Sequence, residues 1–156
     1  AVHERLQRGI DAVVAGIPSD QRSVHVDRDM LDRFLFAPDD VIVVIGQDGL
    51  VANVAKYLDG QLTVGINPDP QRYDGILCPH GPTAFPDLLR WIDQRGPRYA
   101  LQARAMAEAL REDGQRVLAL NEVFIGHASH QSARYRLTVG DRAERIGLGA
   151  LAAREP

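Results

Sequence analysis

The chain has 156 residues, 45% hydrophobic and 25% charged, with a formal net charge of −3, a length and balance that argue for about one globular domain. The slight acidic excess excludes the large basic field that nucleic acid or acidic lipid would require, and no apolar run approaches the ~20 residues needed to span a bilayer. The opening AVHERLQRGIDAVV lacks the charged-then-apolar layout of a secretory signal, and the single cysteine, Cys78, excludes an intramolecular disulfide framework; both fit a cytoplasmic protein.

In chain order, Val2, Leu6, Ile10, Val13, Val14 and Ile17 follow helical spacing up to Pro18. Residues 23–26 (SVHV) read as a short strand, and Asp27 to Phe36 as a helix with Met30, Leu31, Phe34 and Leu35 on one face. Pro38-Asp39-Asp40 then punctuates before the apolar strand Val41 to Ile45.

Gly46-Gln47-Asp48-Gly49 follows that strand at once, and Val51, Val54, Ala55 and Leu58 give the next helix at i, i+3, i+4 and i+7. Strand, tight glycine turn and helix is the arrangement by which α/β folds bring a phosphate to a helix N-terminus. After the Asp59-Gly60 turn, Leu62 to Ile66 is a second strand, so a parallel pair joined by a crossover helix is expected.

Residues 67–82 (NPDPQRYDGILCPHGP) are loop-rich, with Ile76 to Cys78 as a short strand inside them. Thr83 is a fair N-cap for a helix striped by Phe85, Leu88, Leu89 and Ile92 and ended by Gly96-Pro97. Segment 98–111 is alanine-rich, which favours a helix, yet its apolar residues alternate. Asp113-Gly114 before Val117 to Leu120 decides for strands in a hairpin. Residues 134–139 (RYRLTV) form a further strand before a Gly140-Asp141 turn.

GQDG after an apolar strand resembles the GGDG loop of NAD kinases and of the related diacylglycerol and sphingosine kinases. Leu120-Asn121-Glu122 resembles the Asn-Glu motif of NAD kinases in particular. Val64-Gly65-Ile66-Asn67, with Asp74-Gly75-Ile76-Leu77, resembles the strand, asparagine and Gly-Phe-Leu segment between them. The resemblance implies a Rossmann-like domain over residues 1–97 and β-strands of an incomplete β-rich domain over 98–156, with the active site between them. It also implies ATP or polyphosphate as donor, Mg²⁺, NAD as acceptor at its ribose 2′-hydroxyl, and a homo-oligomer. The chain departs from the family pattern where Gln47 replaces a glycine and Ile76 replaces a phenylalanine that would offer a base an aromatic platform. It also lacks the glycine- and threonine-rich loop of the β-domain and an opening strand before the first helix. The change of pattern after Ile146 implies either a shortened chain or segments joined across omitted residues.

Asp48 is the candidate catalytic acid. Phosphoryl transfer needs positioning and charge neutralisation, and an aspartate beside an acceptor hydroxyl can take its proton, orient it or act through Mg²⁺; its plainer role is to cap the helix that follows. Gly46 and Gly49 permit close backbone approach, or simply a turn, and the Gln47 amide either hinders the loop or donates to a phosphate oxygen. Asn53 faces a phosphate or solvent. Asn67 lines the cleft at a strand's carboxyl end or caps its own loop. Asn121 suits a ribose or amide edge, and Glu122 suits ribose hydroxyls; the plainer alternative for both is a solvated edge strand. His127-x-x-His130 lacks a third zinc ligand, so it reads as solvated or hydrogen-bonded, and His80 lies in the proline-rich loop. Arg134 and Arg136 share a strand face, as a phosphate contact or a solvated stripe. Two other functions compete with the kinase: a nucleotide-binding module without turnover, and a lipid or small-alcohol kinase sharing only the glycine-aspartate loop.

Overall fold

A computed structural model describes residues 2–94, 100–125, 134–140, 142–148 and 151–154. It mixes helices with small sheets, consistent with the α/β class, and the chain divides into two compact units, 1–103 and 104–156. Among the described residues, no helix is long and apolar enough to cross a membrane.

The first unit is built on strand β1 (Val41–Ile45), helix α2 (Asp48–Ala55) and strand β2 (Leu62–Ile66), with helix α1 (Val2–Ala15) before them and helix α3 (Phe85–Gln94) after. β1 and β2 pair in parallel, Val41 opposite Leu62 and Ile45 opposite Ile66, as the strand–helix–strand pattern predicts. A bridge from Ile66 to His80 adds one more parallel rung.

Alternation along β1 sorts the core onto two faces of this sheet. Val43 and Ile45 pack with Val13 of α1, Val64 and Ile66 of β2, and Phe85, Leu88 and Leu89 of α3. Ile42 and Val44 pack with Val51 and Val54 of α2, with Leu31 and with Cys78. A two-stranded sheet is marginal alone, and helices on both faces bury what its strands would otherwise expose. α1 comes close to the loop after β2 at Gly9, where a Cβ would lie 2.8 Å from the Pro68 Cβ.

Three local expectations are corrected. Residues 23–26 carry no strand, and the helix expected over 27–36 shrinks to a single 3-10 turn, Arg28–Met30. Leu31 drops into the core there and Phe36 packs partly buried against the same cluster, while Leu35 is 92% exposed and Phe34 meets Phe36 edge to face. Residues 76–78 form no strand, because their N–H groups turn to a side chain.

In the second unit β3 (Ala107–Leu110) and β4 (Arg116–Ala119) form the expected antiparallel hairpin, turning at Gly114 with φ +83°. The alternation before Ala107 yields no strand over 100–106. β5 (Glu122–Ile125) pairs with β8 (Leu151–Arg154), and β6 (Arg134–Val139) pairs with β7 (Arg142–Leu148), both antiparallel. Gly96-Pro97, the 97/98 boundary, His127, His130 and Asp141 lie outside the described residues.

Candidate functional site

The GQDG loop sits where β1 runs into α2. The Gly46 N–H donates to the Ile66 carbonyl at 2.9 Å, which ties the loop to the carboxyl end of β2. A Cβ at Gly46 would lie 3.0 Å from Leu50 Cδ2, so the position is tight. Gln47 occupies the N-cap of α2 in an extended conformation, with its side chain exposed and making no capping bond. Its carbonyl accepts from the Leu50 N–H at 2.8 Å, closing the first turn. Gly49 is exposed and its φ is not positive; a Cβ there would meet nothing within 4 Å. Neither its backbone conformation nor its neighbours therefore demand glycine at 49.

Asp48 is half-buried in the first turn of α2, and its carboxylate reaches back across the sheet end. Oδ2 accepts from the Ile76 N–H at 2.9 Å, and Oδ1 accepts from the Leu77 and Cys78 N–H groups at 2.8 and 3.0 Å. An ionised carboxylate offers about four acceptor directions. The two on Oδ1 are taken, and Oδ2 keeps one for a ligand donor.

Asn67 is buried, with 2% of its surface exposed, and it closes its own loop. Its Oδ1 accepts from the Asp69 N–H at 3.0 Å, an Asx turn, and its Nδ2 donates to the Tyr73 carbonyl at 2.8 Å. The Asn67 N–H donates to the His80 carbonyl at 2.7 Å. Asn67 thus fixes the chain at Tyr73 and His80, and Asp48 fixes the residues between. The structure brings these two candidates together on one segment.

The remaining candidates lie elsewhere. Asn53, half-buried on α2, accepts from Lys56 Nζ at 3.3 Å. Asn121 is an exposed bend residue before β5, and Glu122 is the exposed first residue of that strand, opposite Arg154. Both belong to the second unit, whereas the GQDG loop and Asn67 belong to the first.

Sequence reasoning missed the residues that shape this region most. A Cβ at Gly65 would run into the Leu77 carbonyl oxygen and lie 2.8 Å from Cys78 Cα. Gly75 has φ +68°, and a Cβ there would run into the Cys78 carbonyl oxygen and lie 2.8 Å from Asn67 Nδ2. Close approach is therefore enforced at Gly65 and Gly75. Asp69, only 6% exposed, takes both guanidinium bonds from Arg5 Nη1 at 2.7 Å. The Asp74-Gly75 dipeptide signals the positive-φ turn; nothing local signals Gly65 or the Arg5 pairing.

Burial, followed by the charge of Asp48, pushes the Cys78 thiol up to about 12. The thiol is neutral at physiological pH and inert as a nucleophile. Burial also moves the His80 imidazole below its ordinary range.

Among the described residues, no group of three or more His, Cys, Asp or Glu side chains is placed to hold a metal ion. Asp48, engaged by three N–H donors, does not amount to a protein-built magnesium site; Mg²⁺ bound through substrate phosphates needs only one or two carboxylates. A shallow hollow of about 460 Å³ lies along His3, Glu4, Gln7 and Arg8 of α1. It is lined by none of the candidate residues. No family model, curated protein or solved structure matches the chain.

Proposed function

We propose that the chain is an NAD kinase-like phosphotransferase on a Rossmann-like first unit, passing a phosphoryl group from ATP to the ribose 2′-hydroxyl of NAD. The observation that carries this reading is the β1–GQDG–α2–β2 unit. It sets Asp48 in the first turn of a helix at the carboxyl end of a parallel pair, where α/β proteins receive phosphates. The order of the GQDG, Asn67, Asp74-Gly75 and Asn121-Glu122 motifs supports the same family.

In this reading the nucleotide phosphates lie over the backbone of Gln47 to Gly49, and the open space at Gly49 admits them. The Oδ2 atom of Asp48 accepts a hydrogen bond from the attacking ribose hydroxyl and aims it. Magnesium arrives with the ATP phosphates as part of the substrate. The enzyme is cytoplasmic and works as a homo-oligomer.

A second reading rests on the three N–H bonds to Asp48. A carboxylate so engaged serves the fold first, and the chain is then a nucleotide-binding module without turnover. Incubation with NAD and Mg-ATP, followed by enzymatic detection of NADP, separates the two. NADP formation that depends on Asp48 supports the kinase; tight NAD binding with no NADP supports the module. Phosphorylation of a lipid but not of NAD favours the third class, a lipid kinase.

A further inference from the structure

We propose that residues 74–79 form a strap latched by the Asp48 carboxylate, and that this strap opens as a unit about Gly75 while the rest of the first unit stays folded. The inference goes beyond the kinase reading and stands without it.

The hydrogen bonds concentrate the hold on one side chain. The N–H groups of Ile76, Leu77 and Cys78 all donate to Asp48, 28 to 30 residues away in sequence. Among the described residues, no backbone carbonyl accepts from them. The segment is therefore not a strand carried by a ladder; one carboxylate satisfies its successive amides.

Its ends are held separately. Asn67 grips the Tyr73 carbonyl through Nδ2 and the His80 carbonyl through its N–H. Those anchors lie outside the strap and stay closed when the latch releases. Gly75, at φ +68°, lies two residues past the Tyr73 anchor, and we set the hinge at this glycine because its backbone has the widest conformational range in the segment.

The strap has an outer and an inner side. Ile76 is 73% exposed, whereas Cys78 is fully buried against Ile42, Val44 and the α2 residues Val51 and Val54. Leu77 passes against Gly65 of β2 with no room for a side chain there. Opening thus uncovers Cys78 and the carboxyl end of β2 together. A donor arriving at Asp48 meets Oδ2, which carries only the Ile76 N–H among the described residues, so the ligand and the strap share one oxygen.

The thiol reports the motion, because Cys78 is the only cysteine and is shielded while the strap is closed. The test measures maleimide labelling of Cys78 in the folded wild-type chain, Asp48→Asn and Asp48→Ala, alongside urea unfolding followed by Trp91 fluorescence. Amide hydrogen exchange of wild type is read in parallel and does not depend on thiol ionisation.

Losing all three acceptor bonds in Asp48→Ala raises labelling about tenfold or more beyond any change in global stability. Asp48→Asn keeps an acceptor for Leu77 and Cys78 but faces Ile76 with a donor, so it falls between. In wild type the amides of 76–78 exchange together, faster than those of Val44 and Val64 and with little urea dependence. The proposal is overturned if these amides exchange only at the global rate with full urea dependence. It is also overturned if labelling in Asp48→Ala follows the global stability alone. Should Asp48→Ala fail to fold, the wild-type exchange decides.

Discussion

Arg5 on the first helix clasps both carboxylate oxygens of Asp69 from a single nitrogen at 2.7 Å, joining α1 to the loop behind β2. Asp69 is almost wholly buried while the Arg5 side chain is 46% exposed, so the two ends of the pair are unequal. Removing the arginine leaves a buried carboxylate without its cation. Arg5→Ala lowers stability by about 1–2 kcal/mol in urea unfolding. Asp69→Asn costs less, since its amide oxygen still accepts. An unchanged midpoint in Arg5→Ala would show that the contact is only surface draping.

Substitution at Gly65 and at Gly49 has opposite consequences for stability, because a Cβ is blocked at the first and meets open space at the second. Gly65→Ala forces a methyl into the Leu77 carbonyl and destabilises by about 3 kcal/mol. Gly49→Ala meets open space in the first turn of α2 and raises stability by about 0.5 kcal/mol. If phosphates approach the backbone there, Gly49→Ala lowers NADP formation roughly 100-fold despite the gain in stability. Thermal melts and turnover on one preparation check both halves.

The Cys78 thiol shapes the alkaline limb of stability. Its pKa rises from the ordinary 9.0 to about 12 on folding. Below 9.0 the thiol is neutral in both states and its contribution is fully present. Above that value the unfolded chain loses the proton and the folded chain keeps it, so the unfolded state binds fewer protons and stability falls. The loss runs at up to about 1.4 kcal/mol per pH unit until the folded value is reached. Cys78→Ala removes this component, which is read as the difference between the two pH–stability curves from pH 8 upward. Parallel curves would contradict the burial of the thiol.

His80 acts at the other end of the scale. Its folded pKa is depressed by burial. Its contribution is therefore present above the ordinary histidine value and is lost as pH falls through the folded one. His80→Gln flattens this acid limb in urea midpoints measured between pH 7 and 5; an acid limb identical to wild type would rule the imidazole out as its source.

Much of the first unit was legible because its signals are local. Five apolar β-formers, Val41 to Ile45, bounded by Asp40 and Gly46, read as a short strand, and the stripe after Gly49 reads as a helix packed on it. The helix expected over 27–36 failed because spacing is blind to tertiary demand. Leu31 is needed in the core beside Ile42 and Val44, whereas Leu35 has nothing to cover. Asp48 was legible as a chemical residue but not as a latch, since its partners lie 28 to 30 residues on and are backbone groups. Asn67 shows the same limit: its Asx turn follows from Asn-Pro-Asp, but its grip on Tyr73 and His80 needs the folded loop. The resemblance sets Asn121 and Glu122 side by side in one motif, yet β5 begins only at Glu122, which reflects how weakly sequence marks strand ends.

The most direct test of the phosphotransferase reading is NADP formation by the 156-residue chain from saturating NAD and Mg-ATP. Wild type and Asp48→Asn are run side by side, with Cys78 labelling to monitor the strap. The reading predicts NADP with wild type and a fall in kcat of about 100-fold or more in Asp48→Asn, beyond any change in the labelling-competent fraction. A folded wild-type chain that makes no NADP, or an Asp48→Asn chain that makes it at the wild-type rate, contradicts it.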